Sequence, residues 1–204
     1  MKYKYGTSGF RFKIPLILEA SPNIAKTVCL LSSQKDNYLG IMITASHNDY
    51  TYNGVKIVDI SGELLSSQDE EFCVNTVNSD LYLELKTRNS KIIIGHDTRP
   101  SSLTIKNILI KTLQTMDSNC SIIDIGLCTT PQLHYHVFKE NHQIAQNYYE
   151  YYFEFLDSFT FIPYNVYVDC ANGAGTGSML SILKWKSLSN IRLINTHTNS
   201  PHLL

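Results

Sequence analysis

The chain lacks an excess of charge of either sign. Its 204 residues carry a formal net charge of −1. Nucleic-acid-binding domains normally present a basic face, so we expect no nucleic-acid partner. Apolar residues make up 43% of the chain, which is enough for a sizeable core. The length suits one large domain, or one domain and part of another, because about 100–200 residues per domain is usual.

Long apolar runs are also missing from the sequence. No run approaches the ~20 residues that a membrane-crossing helix needs. The first five residues lead directly into Gly6-Thr7-Ser8-Gly9, without the hydrophobic region of a secretory signal. We therefore expect no membrane partner and a cytoplasmic location.

Closely spaced metal ligands are absent as well. The five cysteines are scattered and form no Cys-x-x-Cys pair, a distribution typical of reduced thiols packed as small apolar groups. They are Cys29, Cys73, Cys120, Cys128 and Cys170. His134 and His136 fall within a predicted helix, where residues two apart point to different faces. We therefore predict no metal site from histidine or cysteine clusters.

Short apolar strands alternate with longer helical patterns along the chain. Ile105, Leu109 and Met116 fall on one helical stripe, and Pro100-Ser101 is a plausible helix start. Thr130-Pro131 likewise opens a helix that we predict to extend to about residue 139. The alternation predicts an α/β fold in which helices cover a mostly buried sheet. The predicted strands are 39–45, 55–59, 91–95, 121–125, 165–169 and 191–195.

A domain boundary is predicted between Glu140 and Gln146, which divides the chain into residues 1–143 and 144–204. Beyond the boundary we expect an aromatic-rich helix over 148–159, a strand, a glycine turn, a helix near 179–188 and a last strand. Two strands and two helices are few for an independent core, because small domains bury too little surface.

The segment Thr44-Ala45-Ser46-His47-Asn48 stands directly behind the apolar run 39–43. This position places Ser46 at the mouth of a sheet, in a loop rich in polar groups. Lys56 follows in Asn53-Gly54-Val55-Lys56, and we expect an Asn-Gly turn to return it to the same rim. The set suits phosphoryl transfer. Small polar residues are also common in ordinary turns, so this segment alone leaves both interpretations open.

Four further segments, one before the Ser46 segment and three after it, occur in the order and spacing of a known family. They are Tyr5-Gly6-Thr7-Ser8-Gly9-Phe10-Arg11, Gly95-His96-Asp97-Thr98-Arg99-Pro100-Ser101-Ser102, Gly126-Leu127-Cys128-Thr129-Thr130-Pro131-Gln132-Leu133-His134-Tyr135 and Asp169-Cys170-Ala171-Asn172-Gly173. Together with the Ser46 segment they resemble the α-D-phosphohexomutase superfamily. The second and third look most like its phosphoacetylglucosamine mutase branch. The sequence departs from the family at two positions: Asp49 stands where proline is usual, and His96 where arginine is usual.

The resemblance implies a three-layer α/β/α domain with a mixed sheet over residues 1–143, carrying the phosphoserine loop. An incomplete second α/β domain of the same kind would follow over 144–204. The implied activity is an isomerase of the phosphohexomutase type, an intramolecular phosphotransferase. It would interconvert N-acetylglucosamine 6-phosphate and 1-phosphate in UDP-N-acetylglucosamine synthesis, so the implied partner is a sugar phosphate.

The resemblance also implies roles for individual residues. Ser46 would be phosphorylated in the resting enzyme, would donate its phosphate to form a sugar bisphosphate, and would then recover a phosphate from the other position. A serine hydroxyl needs a neighbouring base or cation to act in this way. Lys56 would assist proton transfer and His47 would border the phosphoserine. Arg11 would reach the same region, where its forked donors suit phosphate oxygens.

Two more residues near these motifs read as structural. A carboxylate and a guanidinium two residues apart at a strand end, such as Asp97 and Arg99, would more often hold neighbouring loops than touch substrate.

In the segment Gly173-Ala174-Gly175-Thr176-Gly177, the place of the last glycine of a dinucleotide fingerprint holds Ser178. We read that segment as a tight strand-to-helix turn.

The family's Mg²⁺ is held by the phosphoserine, here Ser46, and by three aspartates of an Asp-Gly-Asp-x-Asp-Arg loop in the second domain. No such segment occurs in the 204 residues, so Ser46, through its phosphate, is the one metal ligand expected here. Three interpretations stay open: a fragment or shortened gene model of a mutase, a truncated non-catalytic relative acting as a binding or regulatory module, and a generic α/β nucleotide-binding domain. Sequence beyond Leu204 would separate the first two, and nucleotide titration would test the third.

Overall fold

The computed structural model describes residues 2–79, 89–156, 164–186, 188 and 190–199. Its larger sheet has six strands in the order β1-β2-β4-β3-β5-β6. Their bounds are β1 Tyr5–Gly6, β2 Gly9–Lys13, β3 Leu39–Ile43, β4 Tyr52–Val58, β5 Lys91–His96 and β6 Ser121–Leu127. β3, β5 and β6 run parallel to one another, whereas β1, β2 and β4 pair in antiparallel fashion. The mixed sheet that the resemblance implied is therefore confirmed.

Helices cover both faces of this sheet. They are α1 Ile14–Ser33, α2 Ser67–Val77, α3 Ser102–Met116 and α4 Thr130–His142. The core on one face joins α1 and α3 to alternate strand residues such as Ile41 and Ile43. The core on the other face joins Leu133 and Val137 of α4 to the intervening residue, Met42. Because successive strand residues point to opposite faces, the result is the expected α/β/α arrangement of three layers.

The central strand β3 is buried along its whole length. A continuous apolar run is typical of a parallel strand that is covered on both faces. Its neighbour β5 is buried at Ile92, Ile93 and Ile94. These two strands hold the loops at their carboxyl ends in fixed positions.

Helix α1 corrects the expectation about apolar runs. By length and composition alone, this 20-residue helix is apolar enough to cross a membrane. In the fold, one face of the helix, including Ile17, Ile24 and Val28, is fully buried in the core with α3 and the sheet. Its apolar character is thus explained by its place in the core. Pro22 lies inside α1, and a proline inside a helix removes a backbone hydrogen bond.

The predicted Asn-Gly turn before Lys56 is wrong. Asn53 and Gly54 lie inside β4, and the chain reverses earlier, where the Tyr52 N–H donates to the Asp49 carbonyl over 3.0 Å. Asn53 is fully buried, and its amide donates to the hydroxyls of Ser101 and Ser102 at 2.8 and 3.0 Å. These long-range partners hold Asn53 in an extended strand.

A second, smaller sheet pairs β7 (Val166–Asp169) and β8 (Ile191–Ile194) in parallel. Helix α5 (Tyr148–Leu156) contacts α4 through Tyr135, whose ring lies 5.7 Å from that of Tyr148. Helix α6 runs over Gly175–Lys186. It begins before the predicted position 179. Residues 157–159, which were predicted to end the aromatic helix, lie outside the described residues. The division into residues 1–143 and 144–204 stays a prediction.

Candidate functional site

A cavity of about 500 Å³ opens at the carboxyl ends of β3, β5 and β6. Parallel strands bring the loops at their carboxyl ends to one edge of the sheet, where α/β proteins commonly bind ligands. The loop after β3 supplies Ser46, His47 and Asn48 to the lining. The loops after β5 and β6 and the turn after β7 supply the remaining walls. Four of the five sequence motifs thus meet at one cavity.

Ser46 has an unusual backbone conformation. Its φ is 56°, in the left-handed region, and the residue is exposed at the cavity. Its N–H donates to the Thr44 hydroxyl over 3.0 Å. A left-handed conformation at a residue other than glycine costs about 1–3 kcal/mol and persists only where the surroundings enforce it. The loop is therefore held in shape by its neighbours.

Arg99 supplies much of that restraint. Its Nη2 donates to the carbonyls of Ser46 and Asn48 at 2.9 and 2.6 Å. Its Nη1 donates to the carbonyls of Asp49 and Tyr52 at 2.8 and 2.9 Å. The expectation that Asp97 and Arg99 hold neighbouring loops agrees with these contacts.

Asp97 anchors Arg99 from the other side. Its carboxylate accepts hydrogen bonds from the Arg99 N–H and Nε at 3.0 and 3.2 Å, and from the Ser102 hydroxyl at 2.8 Å. Because Ser102 in turn accepts from Asn53 of β4, the bonds form a closed network. It links the loop after β3, the loop after β5 and the first residues of β4.

Arg11 and Lys56 lie close together on the α4 face of the sheet. Arg11 pairs with Gly54 in the register of β2 and β4, two residues before Lys56. The neighbours of both cations along their strands, Phe10 and Ile57, belong to the core on the opposite face, so the two side chains share the α4 face. Arg11 reaches the Ser46 loop, where its Nη1 donates to Asn48 Oδ1 over 2.8 Å.

The environment of Lys56 makes its charged form less favourable than it is in water. Burial lowers the pKa of Lys56, and the positive charge of Arg11 lowers it further. His134 of α4 lies on the same side of the sheet, and burial lowers its pKa as well. The His134 ring is fixed by a 2.7 Å hydrogen bond between Nδ1 and the Gly62 carbonyl. The amine of Lys56, partly buried and with a lowered pKa, is suited to accept a proton.

The predicted site residues therefore occupy one region in two groups. Ser46 and His47 line the cavity, and both are exposed. Arg11 and Lys56 stand beside them on β2 and β4, and Arg11 is joined to the loop by its bond to Asn48. The structure thus places a hydroxyl and an imidazole in the cavity lining, and Arg11 reaches the loop that carries them. Lys56 lies on the neighbouring strand β4, paired with Met42 of β3, which also lines the cavity.

Comparisons with known proteins agree with this geometry. Residues 26–84 and 74–146 match the family model for phosphoglucomutase/phosphomannomutase, alpha/beta/alpha domain I. The chain belongs to this family. It is 36% identical to phosphoacetylglucosamine mutase 1 of Schizosaccharomyces pombe, over an alignment that covers 100% of this chain and 44% of the relative. It is 33% identical to human phosphoacetylglucosamine mutase, over 68% of this chain and 28% of the relative.

Solved structures give the same result. An N-acetylglucosamine-phosphate mutase of the α-D-phosphohexomutase superfamily, in its substrate complex, superposes with a TM-score of 0.84 at 27% identity, over 100% of this chain and 43% of that one. An Aspergillus fumigatus N-acetylphosphoglucosamine mutase, in complex with GlcNAc-6P and magnesium, gives 0.80 at 28% identity, over 98% and 42%. The chain spans less than half the length of these relatives. The resemblance to the superfamily and its phosphoacetylglucosamine mutase branch is confirmed.

Both departures from the family pattern are engaged in local hydrogen bonds. The Asp49 carboxylate, at the usual proline position, accepts from the Thr51 hydroxyl and N–H at 2.6 and 2.9 Å, and these bonds lower the pKa of Asp49. His96 ends β5, and its Nδ1 lies 2.8 Å from the Asp97 carbonyl. Asp49 thus closes the turn that a proline would otherwise stiffen.

The residues present do not fit a complete Mg²⁺ site of the family. In the part of the chain that the structure describes, no group of three or more histidine, cysteine or acidic side chains could hold a metal ion. Two carboxylates that line the cavity with Ser46, those of Asp49 and Asp97, already accept the hydrogen bonds given above. Mg²⁺ requires near-octahedral oxygen coordination, and a phosphate on Ser46 would supply only part of it.

Some cavity residues escaped the sequence reasoning. Thr129 lines the cavity and also begins α4, as its hydroxyl and the Gln132 side chain form a capping box. Cys128 is a buried wall residue, and burial raises the pKa of its thiol to about 12. Ala171 and Gly173, in the turn between β7 and α6, complete the lining. The Thr-x-x-Gln spacing is a recognisable helix-start signal, but nothing local indicates that the turn after β7 reaches the cavity.

Proposed function

We propose that this chain is the phosphoserine-bearing part of a phosphoacetylglucosamine mutase, which interconverts N-acetylglucosamine 6-phosphate and 1-phosphate. The observation that carries the proposal is Ser46, exposed at the cavity in a restrained left-handed conformation, with Arg11 hydrogen-bonded to the same loop. The names of the relatives supply the substrate class.

The chemistry consists of two phosphoryl transfers at one serine. In the first, the bond between phosphorus and Ser46 Oγ breaks, a bond from phosphorus to a sugar hydroxyl oxygen forms, the hydroxyl proton passes to a base, and the departing Ser46 oxygen takes up a proton. The product is a sugar bisphosphate and a free serine hydroxyl. In the second, the bond between the other phosphorus and its sugar oxygen breaks and a bond from that phosphorus to Ser46 Oγ forms. The serine proton leaves to a base, and the freed sugar oxygen takes up a proton. The sugar departs with its phosphate at the other position.

The cations have distinct proposed roles. Phosphoryl transfer depends mainly on positioning and on positive charge near the phosphate oxygens. Arg11 carries a fork of donors suited to those oxygens, and His47 borders the phosphoserine. Lys56 is the proposed base, because its lowered pKa increases the fraction of neutral amine available to take the sugar hydroxyl proton.

We also propose that the complete enzyme uses Mg²⁺. The ion would neutralise charge on the transferring phosphate when bound, with the Ser46 phosphate as a ligand. The magnesium complex of the Aspergillus fumigatus relative supports this for the family. The remaining ligands are not present among the described residues of this chain, so no step is derived through the metal here.

The test is phosphate transfer to Ser46 in the longest form of the protein that is expressed. The protein is incubated with glucose 1,6-bisphosphate, and the phosphorylated position is mapped by mass spectrometry. We expect a single site at Ser46, lost in Ser46→Ala and retained in Ser61→Ala, a serine on an exposed turn. Phosphate that persists on the Ser46→Ala protein would contradict the proposal.

The incomplete set of metal ligands among the described residues supports a second candidate function. A truncated, non-catalytic relative would keep the cavity and bind a sugar phosphate without transfer. The lack of a metal cluster among the described residues favours this alternative for residues 1–204 alone. Binding of N-acetylglucosamine 6-phosphate in the absence of any Ser46 phosphorylation, in the longest expressed form, would support it. A cytoplasmic location remains a prediction.

A further inference from the structure

The guanidinium of Arg99 is the centre of the contacts that shape the Ser46 loop. It donates to four carbonyl oxygens within seven residues of chain, those of Ser46, Asn48, Asp49 and Tyr52. The Arg99 side chain is only 10% exposed. A planar group with donors in fixed directions can gather several carbonyls at once, and here it draws the carbonyl side of the loop towards itself.

The position of Arg99 is fixed independently of the loop. Asp97 accepts from both the Arg99 N–H and Nε, and its own N–H donates to the Ile43 carbonyl at the end of β3 over 3.0 Å. The buried hydroxyl of Ser102 holds the Asp97 carboxylate from the other side. Arg99 is therefore a rigid template against which the loop is shaped.

One of the four contacts acts on the nucleophile itself. Ser46 is left-handed at φ 56°, and its peptide is fixed at both ends, by Thr44 Oγ1 at the N–H and by Arg99 Nη2 at the carbonyl. A second contact of Arg99, to the Tyr52 carbonyl, fixes the first residue of the strand that carries Lys56. The same side chain thus sets the spacing between the nucleophile loop and the proposed base.

We propose that Arg99 is a positioning residue for phosphoryl transfer, acting through the backbone of Ser46 without touching the sugar. The inference rests on the proposed function of Ser46. Loss of Arg99 should slow transfer to and from Ser46 while leaving the affinity for the sugar phosphate nearly unchanged, because the Arg99 donors are engaged by Asp97 and by backbone carbonyls of this chain. A misplacement of about 1 Å can reduce a rate by 10²-fold, and we expect an effect of that order.

The experiment compares Arg99→Lys and Arg99→Ala with the parent in the longest expressed form of the protein. The readouts are the rate of Ser46 phosphorylation by glucose 1,6-bisphosphate, the concentration of bisphosphate at half-maximal rate, and the melting temperature. Lys has three donors on a flexible stem and cannot reproduce four carbonyl contacts. We expect both variants to lose about 10²-fold in maximal rate, with the half-maximal concentration unchanged.

Two controls separate positioning from stability. Ile105→Val removes a methyl group from the core beneath α3, where Ile105 is fully buried, and should lower the melting temperature while retaining the phosphorylation rate. Guanidinium ion at millimolar concentration should restore part of the rate to Arg99→Ala and none to Arg99→Lys, in which the space is filled. If Arg99→Ala does not fold, Arg99→Lys alone decides the question through its rate.

The outcomes distinguish this inference from the proposed function. A parent protein that takes no phosphate, or a Ser46→Ala protein that still does, overturns the proposed function and the inference with it. Two results overturn the inference alone, provided that the parent is labelled at Ser46. The first is an Arg99→Lys variant with a normal phosphorylation rate. The second is an Arg99→Lys variant whose rate is no lower than that of Ile105→Val when the two have the same melting temperature.

Discussion

Among single residues, Lys56 shows the sharpest conflict between stability and chemistry. Burial and the Arg11 charge both lower its pKa, which means that the folded protein disfavours the protonated amine that the unfolded chain carries. A site of this kind costs stability in exchange for reactivity. The interpretation of Lys56 as an ordinary solvated strand residue predicts no such cost.

Replacing Lys56 with methionine tests the two interpretations together. We expect Lys56→Met to raise the melting temperature at pH 7, because it removes a charge from a partly buried place beside Arg11. Turnover of a form that is active should fall by about 10²–10⁴-fold, the usual value of acid–base assistance. Differential scanning calorimetry and a coupled mutase assay measure the two effects. Unchanged turnover and an unchanged melting temperature would indicate that Lys56 is an ordinary solvated strand residue.

The stability difference should also depend on pH in a definite direction. Because the folded-state pKa of Lys56 is lowered, the unfolded chain binds more protons between the folded and unfolded pKa values. Stability of the parent therefore rises with pH through that window, and its deficit relative to Lys56→Met shrinks. Urea unfolding of both proteins at pH 7 and at alkaline pH measures this. A deficit that grows with pH would contradict the assignment.

At the scale of elements, Gly54 explains how three strands meet under the Ser46 loop. A Cβ at this position would lie 2.7 Å from the Phe10 carbonyl oxygen and 2.8 Å from that of Thr44. Both obstacles are backbone atoms, which cannot move aside without separating β2 or β3 from β4. The Asn-Gly pair that looked like a turn is therefore a point of close strand contact.

Two glycine substitutions should have opposite effects on stability. We expect Gly54→Ala to lower the free energy of unfolding by about 1–3 kcal/mol, as overpacking usually does. Gly177→Ala, on the exposed side of α6 with nothing within 4 Å of the added Cβ, should raise the stability of that helix by about 0.5–1 kcal/mol. Thermal unfolding of both variants checks the signs, and a neutral Gly54→Ala would refute the close contact.

The start of α4 gives a further prediction. Thr129 caps the helix and Gln132 completes the capping box. Thr129→Ala should lower the free energy of unfolding by about 0.5–2 kcal/mol, whereas Thr129→Ser should retain most of the cap. Chemical denaturation of the two variants provides the comparison. Equal losses in alanine and serine variants would show that the methyl group, and not the hydroxyl, matters.

At the scale of the whole molecule, the residues that the structure describes supply no full set of metal ligands at the cavity. A protein consisting of residues 1–204 alone should therefore not interconvert N-acetylglucosamine 6-phosphate and 1-phosphate with Mg²⁺ present. Without the metal's electrostatic stabilisation, the barrier should rise by several kcal/mol. A coupled assay should compare this protein with the same chain fused to the remaining domains of a relative. Comparable turnover by the two proteins would require a different metal site.

The sequence by itself determined the elements whose signals are local. Strand β3 is a continuous apolar run, β5 and β6 are rich in isoleucine, and α3 and α4 begin at the predicted start signals, so composition and local signals were sufficient. The short β1 and β2 and the helices α1 and α2 were not predicted. In α1, Pro22 interrupts the local helical signal, and the helix is formed because the core on the sheet buries its apolar face.

The tertiary structure alone decided how the site is assembled. Arg99 meets carbonyls that lie 47 to 53 residues earlier in the chain, and Arg11 meets Asn48 across 37 residues. The register of β2 on β4 sets Arg11 beside the strand position of Lys56. Motifs identified these residues as a group, but only long-range packing fixes their distances and lowers the pKa of Lys56. The physical reason is that local patterns encode which face a residue occupies, whereas contacts and charges between distant segments depend on how the strands pair.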